Sequence, residues 1–227
     1  MPGKQIGTKL VIALDGPSGA GKGTVARALA DELGFRHVDS GAMYRAIGWK
    51  ALRDRLPLDD ENAISQLAER SHIEIANGRV TVDDFDVTRE IRTPEIDRAA
   101  ASVARLPKVR AVLVQRQREL GVGGGIVMEG RDIGTVVFPH ADVKIYLDAS
   151  PEERARRRAQ DPAHSGGPTA VAEVKTMLSQ RDESDRTRSV SPLYAAADAT
   201  VIDTTGRSVS EVVQDVLRVV QDHSAKP

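Results

Sequence analysis

Gly16-Pro17-Ser18-Gly19-Ala20-Gly21-Lys22-Gly23-Thr24 carries the spacing of a phosphate-binding loop: a glycine, four residues, then Gly-Lys. Glycines let successive backbone N–H groups converge on phosphate oxygens, and the N-terminus of a following helix adds positive partial charge. Lys22 supplies a full charge to the β- and γ-phosphates of a nucleoside triphosphate. Such loops ordinarily follow the lysine with Ser or Thr for Mg²⁺. Here Gly23 stands there, and the hydroxyl comes one step later at Thr24, which would reach the metal directly or through a water. Two further segments, Asp39-Ser40-Gly41-Ala42-Met43-Tyr44-Arg45 and Glu129-Gly130-Arg131-Asp132-Ile133-Gly134-Thr135, each combine an arginine with small residues. An arginine fork grips a phosphate in bidentate fashion, so two such segments suggest a second phosphate facing the first.

These segments need elements to position them. Leu10 to Leu14 is a continuous apolar run and reads as a strand buried on both faces, followed by the glycine loop and a helix to about Leu33 with Gly34 as C-cap. Arg36 to Val38 reads as a second strand, and strand–helix–strand in that order implies a parallel sheet with a right-handed crossover. Ile126 to Met128, Val143 to Leu147 and Thr200 to Ile202 supply three more strands. In an open parallel sheet ligands gather at the carboxyl ends of the strands, where both arginine segments fall. Helical patterns cover Ala42 to Arg53, Glu61 to Arg70, the stretch capped by Thr93-Pro94, Pro107 to Leu120 and Val209 to Val220, the last with Val212, Val213, Val216, Leu217 and Val220 on one face. Between them His72 to Val87 alternates apolar and polar residues around Asn77-Gly78, a hairpin signal, with a third short strand at Phe85 to Val87. The expected architecture is α/β: a P-loop three-layer fold with a five-stranded parallel sheet, a small antiparallel insertion and a helical lid. The core covers 8–58 and 97–223, including a lid at 156–184. The insertion covers 59–96, and 1–7 and 224–227 are expected to be flexible termini.

Composition narrows the function. Lys and Arg number 32 against 33 Asp and Glu, so no global polyanion-binding surface is expected and nucleic acid is disfavoured as a partner. Aromatics are only 3%, too few for base-stacking platforms. No stretch approaches the length of a membrane span, no secretory signal is visible, and there is no cysteine, so a reducing, cytoplasmic location is expected. The five histidines show no metal-ligand spacing; His37 reads as structural and Trp49 as core packing.

A phosphate loop alone leaves the acceptor open. No guanine-reading Asn-Lys-x-Asp stretch follows a later strand, and Glu129 is a weak candidate for an acidic metal ligand at a strand end. The segments Asp39 to Arg45, Glu90-Ile91-Arg92-Thr93, Pro107-Lys108-Val109-Arg110, Gly130 to Pro139 and Arg181 to Arg188 resemble, in order and spacing, the bacterial cytidylate kinases, P-loop nucleoside-monophosphate kinases. The resemblance runs from about Leu10 to about Val220, and it implies transfer of the ATP γ-phosphoryl group to CMP or dCMP with Mg²⁺, by an enzyme expected to be monomeric. It implies that Arg45, Arg131 and Arg188 hold the CMP phosphate with Arg181 in support. It further implies that Ser40, Arg110 and Asp132 read the cytosine ring, that Tyr44 also belongs to the CMP-binding set, and that Asp185 binds the sugar hydroxyls. A carboxylate at Asp132 accepts from the cytosine amino group and faces an unmatched carbonyl in uracil. Some members carry a serine near Ala101; this chain has Ser102 one position later, so that contact is not carried over.

Arg154, Arg156, Arg157 and Arg158 crowd a helix before a Gly166-Gly167-Pro168 loop. A basic helical run is often a solvated face, but beside a phosphate loop it fits a lid that closes over the triphosphate. Arg157 and Arg158 are the pair expected to turn inward, so Lys22, Arg131, Arg157, Arg158 and Arg188 form the expected catalytic set. Bland alternatives stand beside these readings. Asp39 and Asp132 could cap helices, Arg92 and Arg110 could form surface ion pairs, and the acceptor could be UMP, AMP or dTMP. A nucleotide-dependent regulatory protein is the rival from another class.

Overall fold

The computed structural model describes residues 9–76, 78–161 and 171–224. The expected flexible termini at 1–7 and 224–227, apart from Ser224, which closes the last helix, lie outside the described residues, as do Asn77 of the hairpin turn and the Gly166-Gly167-Pro168 loop.

Five strands, β1 (Val11–Asp15), β2 (Arg36–Asp39), β6 (Ile126–Gly130), β7 (Val143–Asp148) and β8 (Thr200–Asp203), form a parallel sheet in the order β2-β6-β1-β7-β8. The central strands β1, β6 and β7 are almost wholly buried, which explains why their sequences run apolar instead of alternating. Helices α1 (Lys22–Leu33) and α8 (Val209–Ser224) cover one face, where Val25, Leu29, Val213, Val216 and Val220 pack on Ile12, Leu14, Ile145 and Leu147. Gly34 ends α1 in the left-handed conformation as expected. α8 runs a turn beyond the expected Val220, because no Gly or Pro interrupts the chain there.

Helices α2 (Ser40–Arg53), α3 (Glu61–Arg70), α4 (Pro94–Val103) and α5 (Pro107–Leu120) share a second core of Met43, Ile47, Ile64, Leu67, Val103, Val109 and Leu113. Helix α2 begins two residues earlier than its periodicity suggests. Asp39, the last residue of β2, takes the Ala42 N–H as N-cap, so strand passes into helix without a loop. The strands β3 (Ile73–Ala76), β4 (Arg79–Val82) and β5 (Phe85–Asp86) make the small antiparallel sheet, paired Ile73 to Val82 and Ala76 to Arg79. Val80 and Val82 press it onto Ala42 and Ala46 of α2. After β7 come α6 (Pro151–Ala159) and α7 (Val171–Arg186), packed together through Ala155, Val174 and Leu178. Among the described residues no helix is long and apolar enough to cross a membrane.

One element had no counterpart in the sequence reading. Ile133–Val137 forms a single π-helical turn, in which Val137 N–H reaches Asp132 C=O and Phe138 N–H reaches Ile133 C=O.

Candidate active site

A cleft of about 850 Å³ opens at the carboxyl ends of the parallel strands, with the phosphate loop on one wall and α2, α4 and the segment after β6 on the other. The loop leaves β1 through Gly16 at φ +146°, where a Cβ would lie 2.0 Å from the Leu147 carbonyl oxygen, so no other residue fits. Ser18, Gly19, Ala20, Gly21, Gly23 and Thr24 line the cleft; Pro17 lies just before them in the loop. Lys22 opens α1, is only 6% exposed, and its Nζ donates to the Pro17 carbonyl at 2.8 Å. Burial pulls its amino group down to about 7, with Arg131 pushing the same way and Glu129 and Asp15 opposing. At the end of β1, Asp15 accepts the N–H groups of Ile133 and Gly134 at 2.8 and 2.7 Å, and burial raises it to about 6 despite those bonds.

Across the cleft the arginines come with carboxylates. Arg45 reaches Asp39 at 2.5 Å, and Arg131 reaches Asp185 at 3.1 Å. Arg188 approaches Asp185 at 3.7 Å and donates to the Ser191 carbonyl at 2.8 Å. Arg158 and Arg181 both pair with Asp97. Arg45, Arg181 and Arg188 each keep a buried Nε–H without a hydrogen-bond partner among the described residues. Buried donors left open in this way are what an incoming phosphate oxygen satisfies. Tyr44 and Ser40 also line the cleft, and the Ser40 hydroxyl donates to the Glu129 carbonyl at 2.6 Å.

Comparison with known proteins decides the family. The sequence matches the cytidylate kinase family over residues 12–222. It is 48% identical over 216 residues to the cytidylate kinase of Desulfitobacterium hafniense (strain Y51), covering 94% of this chain and 93% of that protein. It is 45% identical over 215 residues to the cytidylate kinase of Solibacter usitatus (strain Ellin6076), again 94% and 93%. The chain belongs to the cytidylate kinase family. At the level of fold alone, the crystal structure of a gluconokinase from Sinorhizobium meliloti 1021 superposes with a TM-score of 0.51 at 13% identity, covering 96% of this chain and 94% of that one.

Within this cytidylate kinase chain the expected site residues divide into two sets. Lys22, Arg45, Tyr44, Ser40, Arg131, Arg157, Arg158, Arg181, Asp185 and Arg188 converge on one cleft. Arg110 and Asp132 do not line it: they are 2% and 5% exposed and ion-paired with each other, with the Arg110 guanidinium 5.3 Å from the Tyr44 ring centre. The surface ion pair considered for Arg110 is thereby corrected to a buried one, because α5 turns this residue inward beside Val109 and Leu113. Asp132 is not a cap, since its carboxylate makes no capping bond, whereas Asp39 caps α2 and binds Arg45 at once. Arg92 donates to the Thr88 carbonyl at 3.2 Å and lines the cleft.

The arginine-rich helix α6 does not place its inward pair together. Arg157 turns to the donor wall, where it donates to the Thr204 hydroxyl and carbonyl at 2.9 and 2.6 Å, while Arg158 turns to Asp97 on α4. Arg156 pairs with Glu153 in solvent. Arg154, passed over in the sequence reading, goes underneath: buried against Asp182, it donates to the Ser18 carbonyl at 3.1 Å. Other residues at the cleft were also missed. Thr204, Arg207, Val209 and Val212 form the wall beside Thr24, Val25 and Ala28, and the strand-end rule applied to β8 could have found Thr204. His37, read as structural, faces the cleft and meets Glu129 at 3.0 Å.

For Mg²⁺ the donors are suitable but few. Thr24 is exposed and lines the cleft, and a Glu129 carboxylate oxygen lies 3.1 Å from where a Gly23 Cβ would stand. Among the described residues no three His, Cys, Asp or Glu side chains gather to hold a metal. One or two protein oxygens, with water and substrate phosphates, suit this cation.

Proposed function

We propose that the chain transfers the γ-phosphoryl group of ATP to the 5′-phosphate of CMP or dCMP, giving ADP and CDP or dCDP. One observation carries this reading: a single cleft is lined by residues 18–24 of the loop, Lys22 among them, and by Arg45, Arg131, Arg181 and Arg188, a set suited to gripping two phosphates. A nucleotide switch has no second phosphate to hold. The acceptor oxygen is already anionic, so no general base is required; the residues position the two phosphates and stabilise charge on the transferring group. Lys22 holds the β- and γ-phosphates, and Arg131 and Arg188 hold the acceptor phosphate. Arg157 fixes the donor side through Thr204, and Arg158 with Arg181 faces the gap between. Thr24 and Glu129 would hold Mg²⁺, which when bound neutralises phosphate charge.

The base subsite is assigned to Ser40, Tyr44, Arg110 and Asp132, with Asp185 toward the sugar. Because Arg110 and Asp132 lie behind the cleft wall, their part in selection rests on the unmatched carbonyl that uracil would present to a buried carboxylate. We place the enzyme, on the same reading, in the cytoplasm as a single chain.

The test is ADP formation from ATP and Mg²⁺ with CMP, dCMP, UMP, AMP, GMP and dTMP offered separately. Rapid release with CMP and dCMP only supports the assignment. Preference for another monophosphate keeps the kinase and refutes the base subsite, and silence with all six refutes the activity.

A further inference from the structure

The cleft arginines are not all anchored alike. Arg45 is held by Asp39, six residues before it, and Arg131 and Arg188 share Asp185 near the end of α7. Arg158 and Arg181 are held from elsewhere. Arg158 comes from α6 and Arg181 from α7, yet both pair with Asp97 of α4, Arg181 at 3.3 Å.

Asp97 therefore joins α4 both to α6, which carries the basic run, and to α7. It stands in the first turn of α4, where the helix dipole favours a negative charge. Its side chain is 13% exposed, against 20% for Arg158 and 21% for Arg181, so all three are largely withdrawn from water. Burial acts against the charge of both guanidiniums; Arg181 and Arg45 add to the burden on Arg158, Arg131 and Arg45 add to that on Arg181, and Asp97 opposes in both cases. Without a carboxylate between them, two like charges at this burial would swing apart toward solvent.

We propose that Asp97 is a positioning residue for phosphoryl transfer: it holds Arg158 and Arg181 side by side at the cleft and fixes α6 and α7 to α4. The assignment rests on the kinase reading above. Asp97 does not touch substrate in this scheme; it acts through the two arginines. Acceptor binding should weaken only modestly on its loss, because Arg181 alone of the four acceptor-grip arginines pairs with Asp97, while Arg45, Arg131 and Arg188 keep their own carboxylates.

The experiment compares wild type, D97N, D97E, R158A and D97N/R158A in steady-state phosphorylation of CMP, with thermal unfolding of each. D97N keeps the shape and removes the charge. Turnover is expected to fall on the order of 10- to 100-fold, the scale for a displaced preorganised donor. KM for CMP should change less than about threefold on the split between transition-state and ground-state contacts. D97E, which reaches the same guanidiniums, recovers most of the loss. In the R158A background D97N should cost markedly less than in wild type, because residues that act through one another are not additive. D97N turnover within about twofold of wild type, a loss confined to KM, or an undiminished loss in the R158A background would each overturn the proposal. If D97N does not unfold cooperatively, D97S takes its place under the same criteria. An inactive wild type refutes the CMP assignment and leaves Asp97 to be read with the acceptor that the wild type does use.

Discussion

Lys22 is held where it is needed at a cost that can be measured by removing its charge. Its amino group is buried, makes one hydrogen bond to Pro17, and is pulled by burial from the ordinary lysine value of 10.5 down to about 7. The folded value lies below the unfolded one, so the unfolded chain binds the proton more tightly. The penalty on the native state is complete below pH 7 and disappears as pH rises toward 10.5. At about 1.4 kcal/mol per unit the penalty near neutral pH is about 4 kcal/mol. Lys22→Met keeps the length of the side chain and removes the charge. It forfeits the bond to Pro17, about 1 kcal/mol, so the free protein should gain about 3 kcal/mol at pH 6 to 7. For a chain of this size that raises Tm by roughly 6–12 °C. The gain should shrink as pH climbs through 8 and 9. Turnover should fall at least 100-fold, on the order expected when a transition-state charge contact is lost. Denaturant unfolding of both proteins across pH 6 to 9, beside ADP release, provides the comparison. A variant no more stable than wild type at pH 6.5, or a gain indifferent to pH, would refute the argument; near-normal turnover would remove Lys22 from the mechanism.

The same titration predicts that nucleotide binding takes up a proton. At pH 8 a group titrating at about 7 is about one-tenth protonated, and a bound triphosphate should restore its charge. Calorimetry in buffers of different ionisation enthalpy should therefore give about 0.9 proton taken up at pH 8 and about 0.1 at pH 6; equal uptake at both contradicts it. D132N should lower kcat/KM for CMP by roughly 10- to 100-fold through the lost charge-assisted contact and raise it for UMP. An unchanged CMP to UMP ratio assigns Asp132 to supporting Arg110 alone. Gly16→Ala drives a Cβ into the Leu147 carbonyl, so ATP binding should vanish and Tm fall; retained binding by equilibrium dialysis contradicts the loop geometry.

Legibility followed the range of the forces. β1, β6 and β7 could be read because strands covered on both faces need continuous apolar runs, and α4 and α5 because Thr93-Pro94 and Pro107 are local start signals. The phosphate loop was legible for the same reason: its chemistry and its glycines are consecutive. The π-helical turn was not, since Ile133-Gly134-Thr135-Val136-Val137 has no helical composition and is tied down by Asp15, far away in sequence. Arg154 was passed over because its partners, Asp182 and the Ser18 carbonyl, lie 28 and 136 residues away. The division of Arg157 and Arg158 between two walls depends on Thr204 and Asp97, which no spacing rule connects to them.

The pairing of arginine with carboxylate around the cleft bears on how a near-neutral chain can carry a strongly basic site. On the proposed activity several guanidiniums must stand ready for a triphosphate and a monophosphate, and alone they would repel one another and turn to solvent. Each is fixed by an acid that uses part of its fork: Asp39 for Arg45, Asp185 for Arg131 and Arg188, Asp97 for Arg158 and Arg181, Glu153 for Arg157. A guanidinium has five N–H donors, so one carboxylate leaves others free. At Arg45, Arg181 and Arg188 a buried Nε–H is one of these. The carboxylates hold direction without consuming the site, and an arriving phosphate meets donors already aimed and already stripped of water. Replacing any of these acids should thus act on turnover through geometry more than through net charge, and an added surface acid should not compensate for it.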